Sequence, residues 1–163
     1  MTQKVTEFLL SLVSNPADLI MKPDRAGKTG RMGGLYLGSL AALSPRFLIE
    51  NDIVAVISML PKTCLPALPP SVKYHYCCPV QDRAYDSKKL GKLLPHILPI
   101  IHRSREQGNV LVHCRAGMQR APTVCVRYLI RYYGAEPEGA YQKIRSTRPL
   151  AFSNGVTFQK LLK

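Results

Sequence analysis

Residues 109–123, which read NVLVHCRAGMQRAPT, predict a β-strand, a tight loop and a helix start in immediate succession. The strand is the apolar run 110–112, which leads into Cys114. Gly117 permits a tight turn, and Pro122 suits a first helical turn because that position needs no N–H donor. The pattern predicts an anion-binding loop between a strand and a helix, with a thiol at its start and the guanidinium of Arg120 at its end.

Spacing alone does not identify this pair, because a Cys-x5-Arg pattern also occurs at 77–83 and at 125–131. The segment 77–83 has no glycine, and Asp82 within it would repel an anion. The segment 125–131 lies in a run of apolar residues at helical spacing, so a helix is expected to use its backbone donors. Only Cys114 combines a preceding strand, a glycine in the loop and a following helix start.

The chemistry of such a loop favours a bound phosphate. Its N–H groups converge on one point, and the helix N-terminus adds an oriented dipole that attracts a dianion. The same field favours the thiolate form of Cys114, which is the nucleophilic form. The planar guanidinium of Arg120 can bind two phosphate oxygens at once. These residues therefore predict attack by a thiolate on a phosphate ester.

A leaving alkoxide or phenoxide needs a proton, and Asp82 is the first candidate for its donor. Asp82 follows the strand-like run 72–78, which predicts a loop at the carboxyl end of a strand, where sites form in open α/β sheets. Asp86 lies on the same loop and is the second candidate. Its position before Ser87 and Lys88 suits a turn former or a helix cap better than a catalytic acid.

The motif resembles that of the cysteine-based dual-specificity protein phosphatases, and the length of the chain resembles that of their small single-domain members, which include viral ones. It reads His113-Cys114-x-x-Gly117-x-x-Arg120-x-Pro122-Thr123, with an Asp 32 residues upstream of the cysteine. The segments 34–38, 53–59 and 144–149 also resemble the first strand, the next strand and the late helix and turn of that family. The likeness covers residues 31–162.

The resemblance implies a protein phosphatase that hydrolyses phosphotyrosine and phosphoserine or phosphothreonine through a phosphocysteine intermediate. Cys114 would be the nucleophile, Arg120 the phosphate ligand, and Asp82 the general acid and then base. It implies no cofactor and no metal. The residues expected at the bound substrate are His113, Arg115, Ala116, Gly117, Met118, Gln119 and Asn154.

Two positions depart from the family pattern. The family usually has Ser or Thr after the loop arginine, and this chain has Ala121, with the next hydroxyl at Thr123. Hydrolysis of the phosphocysteine is therefore expected to be slow. The polar residue that braces the loop in the family falls at Asn154 or at Ser153, and Asn154 is favoured.

Two other functions remain open from the residues. A phosphatase fold that captures phosphoproteins with little turnover is supported by Ala121 and opposed by the intact Cys114, Arg120 and Asp82. RNA 5′-triphosphatases of the same superfamily share the Cys-x5-Arg loop, but they usually have Thr-Gly after the arginine, where this chain has Ala121 and Pro122. Lipid phosphatases favour lysine inside the loop, and this loop has only Arg115 as an interior basic residue.

Composition bounds the class of protein and its partners. The 163 residues are 46% hydrophobic, which suits one core, and five cysteines without regular spacing indicate a reducing compartment. No apolar run reaches the ~18 residues of a membrane span, and Glu7 interrupts the first apolar stretch. The expected location is intracellular, in the cytoplasm or nucleus, with a virion also compatible. The net charge of +13 is scattered, so phosphoproteins are expected as partners without a dedicated nucleic-acid site.

Strands that alternate with helices predict an α/β fold, with a mostly parallel central sheet flanked by helices on both faces and protein-tyrosine-phosphatase-like. The expected organisation is an N-terminal helix and tether over 1–30 and a catalytic domain over 31–163. Helices are expected near 87–106, 121–133, 137–147 and 156–162, the first of them broken or kinked by Pro95 and Pro99.

The first helix, over 2–13, carries an apolar stripe that must be buried against this domain or a partner's. Its members are Val5, Phe8, Leu9, Leu12 and Val13. The tether after it would allow the helix to dock on a second copy, and small viral phosphatases that this chain resembles carry a comparable helix. A homodimer through this helix is therefore one expected assembly.

Overall fold

The computed structural model describes Val5 and residues 15–25 and 30–163. The predicted helix over 2–13 therefore lies outside the described residues, apart from Val5. The assembly expected from that helix stays a prediction.

A five-stranded sheet forms the centre of the molecule, in the order β1-β2-β5-β3-β4. Strand β1 runs antiparallel to β2, and every other neighbouring pair is parallel. The strands are β1 (Ala17–Met21), β2 (Leu35–Gly38), β3 (Ile53–Ser58), β4 (Tyr74–Cys77) and β5 (Asn109–His113). The prediction of a mostly parallel α/β sheet is confirmed.

Strand β1 corrects the interpretation of residues 14–30 as a tether. Ala17–Met21 pairs with β2, and Ile20 and Met21 are buried in the core. The run is short, and Pro16 and Asp18 interrupt its apolar character, so its sequence does not stand out as a strand. The parallel sheet is thereby closed on one side by an antiparallel edge strand.

Alternate residues of the strands enter two separate cores, one on each face of the sheet. Leu35, Leu37, Ile57 and Val110 belong to the larger core, whereas Val56 and Leu111 belong to the smaller one. Three helices cover the larger core: α2 (Ser87–Arg105), α3 (Arg120–Tyr133) and α4 (Pro137–Thr147). The 3-10 turn Leu40–Leu43 and the short helix α1 (Pro45–Glu50) cover the smaller one. Helices thus lie on both faces, as predicted.

Helix α2 continues through both of its prolines, so of the two effects expected from them, a break or a kink, the break is wrong. The prolines are four residues apart and lie on the same side of the helix, where they line a surface groove with Gly91. The carbonyls that lose their helical donors belong to Gly91 and Pro95, and in this groove water can satisfy them. The opposite side of α2 packs its leucines and isoleucines into the larger core. Near the C-terminus, the predicted helix over 156–162 is a 3-10 helix over Gln159–Leu162.

We expect the full chain to form a dimer in solution and a chain that begins at Asn15 to be a monomer. The shortened chain lacks the apolar stripe but keeps β1, which a start near Gly30 would remove from the sheet. Light scattering of both chains over a range of concentrations measures the assembly. As a control, Phe8→Asp in the full chain should also give a monomer. A full chain that stays monomeric at high concentration contradicts the expectation.

Candidate active site

The carboxyl ends of β3, β4 and β5 lie side by side and carry the candidate catalytic loops. Ser58 pairs in register with Cys77 on one side and with His113 on the other. Beyond the strands, the amide of Met59 still donates to the carbonyl of His113 (3.0 Å). This alignment places the segment after β5, which begins at Cys114, at the same sheet edge as the segment after β4, which contains Asp82.

The loop 114–119 joins β5 to helix α3, which begins at Arg120. Cys114 is 2% exposed and lies at the margin of the larger core. Gly117 has φ of +68°, and a Cβ there would approach Gly38 O to 2.8 Å and Arg148 Nη2 to 2.7 Å. The loop therefore requires glycine at this position for both conformation and space.

Every carbonyl from Cys114 to Gln119 accepts a hydrogen bond from the surrounding protein. His113 Nδ1 donates to the carbonyl of Cys114, and Leu40 N donates to that of Arg115. Arg148 donates to the carbonyls of Ala116 and Gly117. Phe152 N donates to the carbonyl of Met118, and Thr123 N donates to that of Gln119. In a planar trans peptide the N–H points away from the C=O. Because the carbonyls all turn outward, the amides of residues 115–120 turn toward the inside of the loop. The arrangement suits a bound anion such as a phosphate dianion.

Arg120 reaches from the start of α3 to the loop after β4. Its Nη1 donates to the carbonyl of Val80 at 3.0 Å, two residues before Asp82. Its Nε is buried and has no acceptor among the described residues. A guanidinium held at one nitrogen, with another donor unused, is suited to bind an anion that is absent from the protein itself.

The two aspartates of the following loop have different environments. Asp82 Oδ1 is buried without a hydrogen-bond donor among the described residues. Asp86 Oδ2 accepts from the amide of Gln81 at 2.8 Å, so Asp86 shapes the loop. Asp86 precedes α2 without a capping hydrogen bond to its side chain, so of the two expected roles it is a turn former and not a helix cap. Of the two, Asp82 has the unengaged oxygen that a proton donor needs.

His113 is fully buried behind the loop. Its Nδ1 bonds the carbonyl of Cys114 at 3.0 Å, and its Nε2 bonds the hydroxyl of Ser58. Burial lowers the pKa of His113 to about 4, and the charges of His75 and Arg120 act in the same direction. The folded pKa lies below the ordinary histidine value of 6.5, so the contribution of His113 to stability is full above that pH and decreases as the pH falls toward 4.

The remaining predicted residues of the loop serve different purposes. Arg115 is exposed, whereas the side chains of Met118 and Gln119 are buried. Gln119 Nε2 donates to Asn154 Oδ1 (2.8 Å) and to Gly155 O (2.6 Å), so this side chain points toward the segment after α4. Only the backbone N–H of Gln119 is then left to bind an anion. Asn154 thus contacts the loop, whereas the hydroxyl of Ser153 donates to the carbonyl of Leu150.

Ala121 stands where the family usually has Ser or Thr, and the next hydroxyl along the chain, that of Thr123, already makes a hydrogen bond. Thr123 Oγ1 donates to the carbonyl of Gln119 at 2.7 Å, one helical turn back. Both Ala121 and Thr123 are fully buried. A proton used in this bond cannot at the same time stabilise a thiolate at Cys114.

The sequence predicted no role for Arg148, which is the main brace of the loop. Its side chain is 1% exposed, and it donates to the carbonyls of Gly117 and Ala116, each at 3.1 Å. Its Nη1 also bonds Asp18 Oδ2 of β1 at 2.8 Å. Arg148 lies 31 residues beyond Gly117 and 130 beyond Asp18, so no local pattern connects the three. The signal in the sequence that could have identified Arg148 was its position in the turn after α4, within the segment 144–149 that resembles the phosphatase family.

Phe152 supports the same loop from the segment after α4. It has φ of +58°, a conformation that is unfavourable for an aromatic residue. In this conformation its amide donates to the carbonyl of Met118 at 2.9 Å. The strained backbone therefore coincides with a bond that orients the anion-binding loop.

Residues 15–25 and 30–163 contain no group of three or more His, Cys, Asp or Glu side chains placed to hold a metal ion. Within the same residues, no helix is both long and apolar enough to cross a membrane.

The comparisons with known proteins identify one family. The model of the dual specificity phosphatase catalytic domain matches residues 35–163. A probable dual specificity protein phosphatase of Dictyostelium discoideum is 30% identical over 132 residues, which are 80% of this chain and 32% of that protein. Dual specificity protein phosphatase 1 of Arabidopsis thaliana is 31% identical over 129 residues, which are 78% of this chain and 64% of that protein.

The fold is also found in a solved structure. The crystal structure of human DUSP28 matches with a TM-score of 0.68 and 24% identity over 92% of each chain. This chain spans less than two thirds of the length of both curated relatives described above.

We expect Asp18→Asn to lower the free energy of unfolding by about 2 kcal/mol, because the buried guanidinium of Arg148 would lose its carboxylate. We also expect weaker binding of inorganic phosphate, because the carbonyls of the loop would be held less firmly. Denaturant unfolding and calorimetric titration measure the two effects. Glu50→Gln is the matched control, since the Arg46–Glu50 pair is exposed and contributes only about 0.5 kcal/mol. Unchanged phosphate affinity in Asp18→Asn would contradict the bracing role.

Proposed function

Since the chain belongs to the dual specificity phosphatase family, we propose that it hydrolyses phosphotyrosine and phosphoserine or phosphothreonine in proteins. The reaction runs through a phosphocysteine on Cys114. The observation that carries the proposal is the outward orientation of all six carbonyls from Cys114 to Gln119, which leaves the following amides to bind a phosphate.

In the first step the thiolate of Cys114 attacks phosphorus. An S–P bond forms and the P–O bond to the serine, threonine or tyrosine oxygen breaks. The negative charge on the three remaining oxygens is stabilised by the loop amides and by Arg120, whose Nε has no other acceptor among the described residues.

Asp82 gives its proton to the leaving oxygen in this step. The bond from Arg120 to Val80 supports the assignment, since it ties the Asp82 loop to the residue that binds the phosphate. In the second step Asp82, now a carboxylate, takes a proton from the water that attacks the phosphocysteine. The S–P bond breaks, and inorganic phosphate and the Cys114 thiolate are released.

Ala121 makes the second step the slower one in this proposal. The leaving thiolate has no hydroxyl from residue 121, and the hydroxyl of Thr123 already donates to Gln119. A second candidate function follows from the same observation, namely a protein that captures phosphorylated partners and releases them with little turnover. A burst of one product per enzyme molecule without later turnover would favour this second function.

The proposed substrates are phosphorylated proteins. Arg115 is the only interior basic residue of the loop, and it is exposed, so it can meet acidic groups that flank a phosphorylated side chain. A homodimer and an intracellular location, in the cytoplasm or the nucleus or with a virion, remain further parts of the proposal, supported by the sequence alone.

We expect Cys114→Ser to abolish the hydrolysis of an aryl phosphate, because serine supplies no thiolate. Cys77→Ser is the control, since Cys77 begins a second Cys-x5-Arg pattern yet lies in β4. Steady-state release of the phenolate measures both variants, and circular dichroism checks the fold. Loss of activity in Cys77→Ser with retention in Cys114→Ser would show that the site assignment is wrong.

We expect Asp82→Asn to reduce turnover of a phosphotyrosyl peptide by about 10²–10⁴, the usual contribution of a general acid. An aryl ester with a very good leaving group should lose much less, because its leaving oxygen needs no proton. Asp86→Asn is the matched control on the same loop, and its loss should be similar for both substrates. Equal losses on the two substrates in Asp82→Asn would remove its role as the acid.

A further inference from the structure

A chain of hydrogen bonds connects a surface histidine to the loop that carries Cys114. His75 Nε2 lies 2.8 Å from Ser58 Oγ, and Ser58 Oγ bonds His113 Nε2. His113 Nδ1 in turn bonds the carbonyl of Cys114. We propose that His75 is a positioning residue that acts through Ser58 and His113 on the nucleophile's loop. The proposal rests on the proposed phosphatase activity.

The sheet register places the three side chains together. Ser58 of β3 pairs with His113 of β5, and His75 of β4 pairs with Val56, two residues before Ser58. Residues paired in register on parallel strands point to the same face of the sheet, and Val56 points into the smaller core. The chain therefore runs across three neighbouring strands, from the edge strand β4 to the buried centre of the sheet.

The direction of each bond follows from the carbonyl at its inner end. A carbonyl only accepts, so His113 carries its proton on Nδ1 and donates to Cys114 O. In the neutral ring Nε2 is then an acceptor, and the hydroxyl of Ser58 must donate to it. That leaves the oxygen of Ser58 to accept from Nε2–H of His75. All donors in the chain point from the surface toward Cys114.

The protonation state of His75 should change the strength of this chain. An imidazolium always carries a proton on Nε2 and donates more strongly than the neutral ring. Its charge also adds to the positive potential behind the loop, which favours a thiolate and a bound phosphate. Above the pKa of His75 the charge is lost, and the neutral ring can also move its proton to the other nitrogen.

His75 is exposed to solvent, so it can exchange protons with water while His113 is sealed in the core. The titratable groups that face it are Lys62 from the 3-10 turn Lys62–Cys64, Cys77 on its own strand and His113. Partial burial lowers the pKa of His75 from its ordinary value of 6.5, and the charge of Lys62 lowers it further. Its effect should therefore appear on the acid side of neutrality.

The test compares kcat/KM for an aryl phosphate between pH 5 and 8 in wild type, His75→Gln and His75→Phe. Glutamine keeps an N–H donor for Ser58 but does not titrate. We expect kcat/KM of wild type to exceed that of His75→Gln by about threefold to fivefold at pH 5, because only the wild-type side chain then carries an added positive charge near the surface. The ratio of the two values should approach one above pH 7, where His75 is neutral. His75→Phe should lose about threefold to tenfold above pH 7, because one hydrogen bond is missing, and more than that at pH 5, where the charge is lost as well.

His96→Gln and His96→Phe are the matched controls, since His96 is an exposed histidine on α2 away from the loop. They should match wild type at every pH. A constant ratio of wild type to His75→Gln, or a His75→Phe variant equal to wild type, would overturn the proposal. Absence of any Cys114-dependent turnover in wild type would instead count against the phosphatase activity.

A second measurement does not depend on turnover. Long-range ¹H–¹⁵N spectra report which nitrogen carries the proton in each of the four histidines of the chain. At pH 7.5 we expect the proton on Nδ1 of His113 and on Nε2 of His75, and His75→Phe should shift the signals of His113. A neutral His75 with its proton on Nδ1, or unshifted His113 signals, would refute the chain whether or not the protein is active.

Discussion

The buried guanidinium of Arg148 is the contact on which the candidate active site most depends. A loop that binds an anion must turn several amides inward, and its carbonyls must then find donors outside. Arg148 supplies donors to two successive carbonyls, those of Ala116 and Gly117, at the tightest part of the loop. Gly117 is the residue that leaves room for it. Without this guanidinium, two buried carbonyls would lose their donors at a cost of about 1–3 kcal/mol each.

A buried cation needs a partner, and that requirement connects the loop to the edge of the sheet. Asp18 of β1 bonds Arg148 while remaining only 19% exposed. The antiparallel strand β1 therefore does more than extend the sheet, because it carries the carboxylate that pairs with the buried guanidinium. Three of the other four carbonyls are held by the turn after β2, by α3 and by the segment after α4, and the fourth, that of Cys114, is held by His113. The loop is thus shaped from several parts of the chain at once.

The face of the sheet that carries His113 supports the loop differently. Where the Arg148 side uses a charge pair, this side uses a directional chain of neutral donors from His75 through Ser58 to His113. Burial keeps His113 neutral above a pH of about 4, so it orients the carbonyl of Cys114 without adding a charge of its own. Charge near the nucleophile is then left to Arg120 and to groups closer to the surface.

The sequence by itself determined the strand, loop and helix around Cys114, because these features depend on residues within one short segment. Gly117 for the turn, Pro122 for the helix start and the apolar run before Cys114 each have a local physical cause. The placement of Asp82 after a strand was also local, and the mostly parallel sheet was predicted from the alternation of strands and helices along the chain. Strand β1, the continuous helix α2, and the roles of Arg148, Asp18, Ser58 and His75 were decided only by the tertiary structure. The reason is that hydrogen bonds between distant segments leave no periodic pattern in the chain: Arg148 and Asp18 are separated by 130 residues and meet only when the sheet and α4 have packed.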